Sequence, residues 1–315
     1  MPNPIYEPLE PGYIRLVTIN KRRQDALVCT MQTFRLKRKP VYHALSYVWG
    51  DETVRKPILL NGSTFDVTIN LESALLRLRG SKVFVSKVWI DAICINQSDR
   101  EERGHQVQLM KTIYQQALSV LVWLGRDHEP EDERLWFRSE IWGFNKLEKG
   151  TRLSTSLAFG LLAVFEPYLI FFKSEDRKDK RSWASLARLL NRSYWDRLWI
   201  IQEIQVASAA FILCGEGTVT WNSFQEVMTA ILSQSGVLQR FGVDLRILPL
   251  MGADRISNVA LSGVDFGNIL TVLRRTRRAK CKDPRDRCVR RIPTMIAVNS
   301  LQQALRNFGN RSGQS

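Results

Sequence analysis

Histidine is scarce in this chain: His43, His105 and His128 are the only three in 315 residues. Each reads as a core or surface residue, so a Ser-His-Asp hydrolase site is not expected, and the GxSxG and HExxH patterns that would accompany such chemistry or a zinc protease are absent. Neither GxxxxGK[ST] nor GxGxxG occurs, which removes the two commonest glycine-rich phosphate cradles. The five cysteines, Cys29, Cys94, Cys214, Cys281 and Cys288, are odd in number and scattered, with no CxxC pair and no histidine at ligand spacing. That pattern predicts reduced thiols in an intracellular, cytoplasmic protein and neither a zinc centre nor a disulfide scaffold. A basic n-region followed by an apolar h-region is missing from the first residues, so no secretory signal is expected. The longest apolar stretch, Ser156 to Phe172, is interrupted by Glu166-Pro167 and falls short of the ~20 residues a spanning helix needs. It reads as a buried or peripheral helix, and a membrane partner is not expected.

Aromatic residues, by contrast, are plentiful: nine Trp and fourteen Phe point to an aromatic-rich core or interface. Net charge is +15, which raises nucleic acid as a partner. Much of the excess sits in one cluster, from Arg274, Arg275, Arg277 and Arg278 to Arg290 and Arg291, without interleaved aromatics. A solvated helix end explains that cluster better, and nucleic-acid binding is not expected.

The segment Val88 to Gln97, VWIDAICINQ, anchors the reading of the chain. Its first half predicts a strand buried on both faces, Val88 to Asp91, with Asp91, Asn96 and Gln97 gathered at its carboxyl end. Before it, Tyr13 to Ile19 and Ala26 to Phe34 predict an antiparallel hairpin, and Val41 to Asp51 a buried strand with a polar, glycine-containing end. Asn61-Gly62 between apolar runs predicts a two-residue hairpin over Pro57 to Thr68. A helix capped by Asn70 and ending at Gly80 should follow. After the anchor, Ser98 with Glu101 forms a capping box for a helix that leads into the strand Ser119 to Gly125, completing a βαβ unit. Residues 126 to 182 change character and read as a helical insertion. Arg192 to Ala207 predicts one helix carrying Trp195, Trp199 and Glu203 on a single face. A hairpin around Gly215-Glu216-Gly217, a helix capped by Ser223 and a last helix from about Val264 to Arg278 complete the expected elements.

If the three buried strands are parallel neighbours, their carboxyl ends bring Ser46, Trp49, Gly50 and Asp51 together with Asp91, Asn96 and Gln97 and with Gly125-Arg126 at one crevice. Glu203 is the carboxylate to complete it. Such a group facing an anomeric carbon can stabilise an oxocarbenium-like transition state. The competing reading is that Glu203 pairs with Arg192 or Arg197 to fix its helix, and that Asp91 and Asn96 tie down a turn.

Three blocks, YHALSYVWGD, VWIDAICINQSDREERGHQVQLMKTIYQQALSVLVWLG and YWDRLWIIQEI, resemble in order and spacing the fungal HET (heterokaryon incompatibility) domain. The resemblance covers about residues 40 to 215. It implies a role in non-self recognition and programmed cell death, and, through a link to TIR domains, an α/β, flavodoxin-like, mainly parallel sheet flanked by helices. On that likeness residues 1–39 are an N-terminal hairpin extension, 40–215 the core with its insertion, 216–287 a helical part and 288–315 a poorly ordered tail. The tail departs from the family's usual continuation after Asp283-Pro284-Arg285-Asp286, as truncation or a gene-model error near Arg287 would produce. Trp199 followed by Glu203 is similar to the Trp-Glu pairing of NAD-cleaving TIR domains, which implies Glu203 as the catalytic carboxylate. Trp199 would then join Ser46, Trp49, Gly50, Asp51, Asp91, Asn96 and Gln97 in binding. No cofactor is required on that reading; NAD would be the substrate. A homo-oligomer or an incompatibility partner protein is the expected company. The alternatives are a non-catalytic, oligomerising signalling module and membrane disruption through Ser156 to Phe172.

Overall fold

Runs of β-branched and aromatic residues become strands wherever a partner strand can cover their backbone, and among the described residues nine such runs join one sheet. A computed structural model describes the chain at residues 5–21, 26–81, 87–127, 185, 189, 192–197 and 199–226. The strands are β1 (Tyr13–Ile19), β2 (Val28–Arg35), β3 (His43–Tyr47), β4 (Arg55–Leu60), β5 (Ser63–Thr68), β6 (Lys87–Trp89), β7 (Ser119–Trp123), β8 (Ala210–Cys214) and β9 (Gly217–Thr220). Their order across the sheet is β5-β4-β2-β1-β6-β3-β7-β8-β9.

The four central strands, β6-β3-β7-β8, are parallel, and β3, the first of them in the chain, lies between β6 and β7. Every residue of β3 and of β7 is buried, as strands covered on both faces require. Outside this centre the sheet departs from the mainly parallel arrangement expected. The pairings β1–β2, β1–β6, β4–β5 and β8–β9 are antiparallel, while β2–β4 is parallel. The sheet is therefore mixed. Strands joined by short turns can only pair antiparallel, because a parallel partner needs a crossover of a dozen or more residues. β1 of the N-terminal hairpin adds directly to β6, with Val17 opposite Val88.

Asn61 and Gly62 form the predicted tight turn, with φ of 51° and 81°. Both positive angles are what a type I′ hairpin requires. Asn61 Oδ1 also accepts from the Met31 N–H at 2.8 Å, tying the hairpin to β2. A Cβ at Gly62 would meet nothing within 4 Å, so Gly62→Ala isolates the backbone effect. Urea unfolding should show a loss of about 1–2 kcal/mol, the cost of a left-handed conformation for an L-residue.

Helix starts differ from the sequence expectations by one to three residues. α1 (Ile69–Gly80) is capped by Thr68, whose Oγ1 accepts from Leu71 N at 3.3 Å. Asn70, relieved of capping, instead donates to the Val48 carbonyl at 2.6 Å and accepts from Trp123 Nε1 at 2.9 Å, bridging the chain beyond β3 to β7. α3 (Arg100–Gln116) is capped by Asp99, which accepts from the N–H groups of Glu101 and Glu102, so Ser98 and Glu101 form no capping box. The helical turn over 221–226 is likewise capped by Thr220 Oγ1 on Ser223 N, one turn earlier than expected.

Two longer expectations are corrected. The strand predicted from Val88 to Asp91 stops at Trp89, and Asp91–Cys94 form the short helix α2, which was not expected. Asp91 Oδ1 accepts from Ala92 N at 2.7 Å, which holds the chain in a turn that buries Ile93 and Cys94 without a strand partner. The helix predicted over Arg192 to Ala207 is split into a 3-10 turn, Ser193–Asp196, and α4 (Ile200–Gln205), because Arg197 is extended at φ −74°, ψ 140°. Trp195, Trp199 and Glu203 consequently do not share one stripe. Trp195 stacks on Phe224 with ring centroids 5.6 Å apart.

Most of the predicted insertion, the stretch Ser156 to Phe172, the basic cluster, the last helix and the tail lie outside the described residues. Among the described residues, no helix is long and apolar enough to cross a membrane.

Candidate active site

Parallel packing of β3 beside β6 sends both chains out of the sheet at the same edge, and the polar residues there meet. Ser46 is 1% exposed and hydrogen-bonds Glu203 Oε2 and the Tyr194 hydroxyl, the latter at 2.6 Å. Burial, followed by the charge of Glu203, pushes the Tyr194 phenol far above its ordinary value, so it stays protonated. Tyr194 therefore donates to Ser46, and Ser46 donates to Glu203, in a relay of three buried side chains.

Glu203 is itself 1% exposed. Its other oxygen, Oε1, faces Arg197 Nη2 at 3.4 Å. The Arg197 guanidinium also lies over the Tyr194 ring, 5.8 Å from its centroid. Burial alone would lower the Arg197 pKa, but the neighbouring Glu203, Tyr194 and Asp91 outweigh it and raise the value. The extended residue that breaks the expected helix is thus the one that reaches back to the carboxylate. Of the two arginines proposed for Glu203, Arg192 is engaged elsewhere, donating to the carbonyls of Arg126 and Asp127 at 2.9 and 3.2 Å.

Asp91 forms the second carboxylate of the cluster. Trp49 Nε1 donates to its Oδ2 at 2.9 Å, and Gln97 Nε2 donates to its backbone carbonyl at 2.9 Å. Burial raises the Asp91 pKa most, Arg197 and the Trp49 hydrogen bond pull it down, and Glu203 pushes it up again; the net direction is upward. Burial also drives the Tyr47 phenol well above its ordinary range, with Asp91 adding to the shift. Tyr47 Oη lies beside Asp91 outside hydrogen-bond geometry, and it and Arg197 Nη1 are buried without a hydrogen-bond partner.

The structure thus brings together Ser46, Trp49, Asp91 and Glu203, with Gln97 behind Asp91. Trp199 is half-buried at the start of α4, where its carbonyl accepts from Glu203 N at 3.1 Å. Gly50 turns the chain at φ 77°, a conformation that favours glycine. Asn96 shapes the loop, its N–H donating to Glu102 at 2.7 Å and its Oδ1 accepting from Ser98 N. Asp51 is exposed and bonds Thr53 N and Oγ1, contacts that hold its carboxyl below the usual range. It belongs to the turn rather than to the cluster. Sequence reading missed Tyr194 as a member of the site and named Arg197 only as a partner fixing the Glu203 helix, although both lie in the YWDRLW block that carries the family resemblance. Among the described residues no group of three or more His, Cys, Asp or Glu is placed to hold a metal ion.

The profile of the heterokaryon incompatibility protein (HET) family matches residues 42–203, which spans the central parallel strands β3, β6 and β7 and ends on Glu203. The chain is similar to Heterokaryon incompatibility protein 6, OR allele, of Neurospora crassa, with 30% identity over 230 residues, covering 66% of this chain and 34% of that protein. It therefore spans about a third of the length of that relative. No solved structure matches the chain. On a family match that covers half the sequence and includes every side chain of the buried cluster, this protein belongs to the heterokaryon incompatibility (HET) family.

Proposed function

We propose that this protein acts in fungal heterokaryon incompatibility, as a cytoplasmic effector of non-self recognition and cell death, and that its crevice cleaves NAD with Glu203 as the catalytic carboxylate. The observation that carries the reading is the hydrogen bond from Ser46, at the end of β3, to Glu203, with Asp91 from the end of β6 beside them. Taken in chain order, the central strands β6-β3-β7-β8 run second, first, third, fourth, the order in which flavodoxin-like sheets begin. That order supports a TIR-like core. The point at β3 where the strand order reverses is where open α/β sheets collect ligands.

In the reaction, the bond between the ribose anomeric carbon and the nicotinamide nitrogen breaks, and nicotinamide leaves with the bonding electrons. Water adds to the same carbon and releases a proton, giving ADP-ribose. The carboxylate of Glu203 stabilises the positive charge that develops at the anomeric carbon. Ser46 holds that carboxylate in place. Since Arg197 occupies Oε1, the guanidinium has to move aside when substrate enters.

The test is NAD loss by the purified full chain, at low concentration and when assembled, beside Glu203→Gln. The variant should lose at least about 100-fold of the activity, the scale of removing one electrostatic stabiliser. Equal NAD consumption by both proteins, or none by the wild type in either state, sinks the catalytic reading. The near-complete burial of Glu203 favours a second reading, a non-catalytic module that oligomerises or engages an incompatibility partner protein. On that reading cell killing survives Glu203→Gln.

A further inference from the structure

The stretch that matches the family begins at residue 42, yet the loop that presents Asp91 is held from outside it. Arg15, on β1, is 3% exposed and forms a two-pronged ion pair with Glu102 of α3, at 2.6 and 3.0 Å. Both partners reach the loop itself. Arg15 Nη1 donates to the Cys94 carbonyl at 3.1 Å, and Glu102 Oε1 accepts from Asn96 N at 2.7 Å. Tyr6 adds a third hold, donating to the Ile93 carbonyl at 2.8 Å while its ring lies 5.0 Å from the Arg15 guanidinium. Arg15 Nη2 closes the arrangement on the Glu7 carbonyl at 2.6 Å.

The residues just after Asp91 show what this does. The backbone of Ile93 and Cys94 is gripped by Tyr6 and Arg15 of the N-terminal segment, and that of Asn96 by Glu102, the ion-pair partner of Arg15, while Asp91 faces Trp49 at the other end of the same turn. A planar guanidinium with two carboxylate bonds and two carbonyl bonds has no freedom to follow a moving loop. We propose that Arg15, together with Glu102, is a positioning residue that sets Asp91 against Trp49, and that residues 5–19 belong to the same functional unit as the family-matching stretch. This role concerns the geometry of the crevice and stands apart from NAD cleavage, so either can fail without the other.

The experiment uses the full chain labelled on tryptophan indole nitrogen and compares N–H exchange at Trp49, bonded to Asp91, with that at Trp123, bonded to Asn70. Arg15→Lys retains the charge but not the fork. It should speed exchange at Trp49 by about tenfold relative to Trp123, as local opening frees one hydrogen bond and not the other. Glu102→Gln should act in the same direction. Tyr6→Phe deletes only the hydroxyl bonded to Ile93 and should give a smaller change of the same sign, which decides the matter if Arg15→Lys fails to fold. An unchanged ratio of the two rates in a folded variant overturns the proposal. So does a parallel rise at both indoles, because it would mark Arg15 as a general stabiliser only.

Discussion

Replacing Arg15 by methionine should cost about 3–5 kcal/mol of folding stability, the penalty for removing one partner of a buried ion pair. The size follows from what is left behind. Glu102, whose side chain is 8% exposed, would keep its charge in a site that no longer supplies a counter-ion, and the Cys94 and Glu7 carbonyls would each lose a donor. The Coulomb attraction itself decides little, because forming the pair already carried a large desolvation cost. A double variant, Arg15→Met with Glu102→Leu, removes both charges and should recover most of the loss. With urea slopes of about 1–3 kcal/mol per molar, the single variant should unfold more than ~1 M earlier than the parent. A shift below ~0.3 M would mean that water reaches the pair and that it contributes as little as a surface contact.

Trp89→Ala is expected to be equally damaging, at about 3–5 kcal/mol, since it empties the largest fully buried side chain of the sheet. Trp89 lies on β6, 0% exposed, with its ring edge-on to Tyr114 at 5.5 Å and 76°. Tyr114 in turn donates to the Leu45 carbonyl of β3 at 3.2 Å, so the cavity would open directly under the central strands. Trp89→Phe makes a sharper comparison. The indole N–H of Trp89 is buried without a hydrogen-bond partner. Phenylalanine relieves that burial, worth about 1–3 kcal/mol for an unsatisfied donor, while giving up part of the packing. The two terms nearly cancel, so Phe should cost less than ~1.5 kcal/mol where Ala costs several. Thermal and urea unfolding of both variants would check this; similar losses for Phe and Ala would show that the indole is partnered in solution.

The sequence made the strands legible because their apolar runs are long and bounded by polar turns. Residues His43 to Tyr47, Ser119 to Trp123 and the turn at Asn61-Gly62 could all be placed from pattern alone. Strand order could not, since alternation reports which residues are buried and is silent on which neighbour buries them. The placement of β1 against β6 is a case in point. The same blindness hid the site's polar partners: Ser46 and Tyr194 are 148 positions apart, and Arg15 and Glu102 are 87 apart. Periodicity also overran two breaks. Helical spacing continued across Arg197, where an ion pair to Glu203 outweighs local preference, and strand character was read up to Asp91, where the chain has already turned into α2. In both places the interruption of regular structure delivers a charged residue to the cluster.

The central place of β3 constrains how the protein is made. Within the described residues its strand partners are β6 and β7, so a strand buried along its whole length emerges from the ribosome well before anything can cover it. The last residue of β3 is Tyr47 and the first of β7 is Ser119. At ~5–20 residues per second the intervening chain takes roughly 4–14 s to synthesise, during which β6 can pair only with His43 and Ala44, and Leu45 to Tyr47 wait for β7. The β1–β2 hairpin, made before β3, and the β4–β5 hairpin, made in that interval, offer no edge that β3 uses. The nascent chain is therefore most vulnerable to aggregation, and most dependent on a chaperone, between the completion of β3 and the arrival of β7.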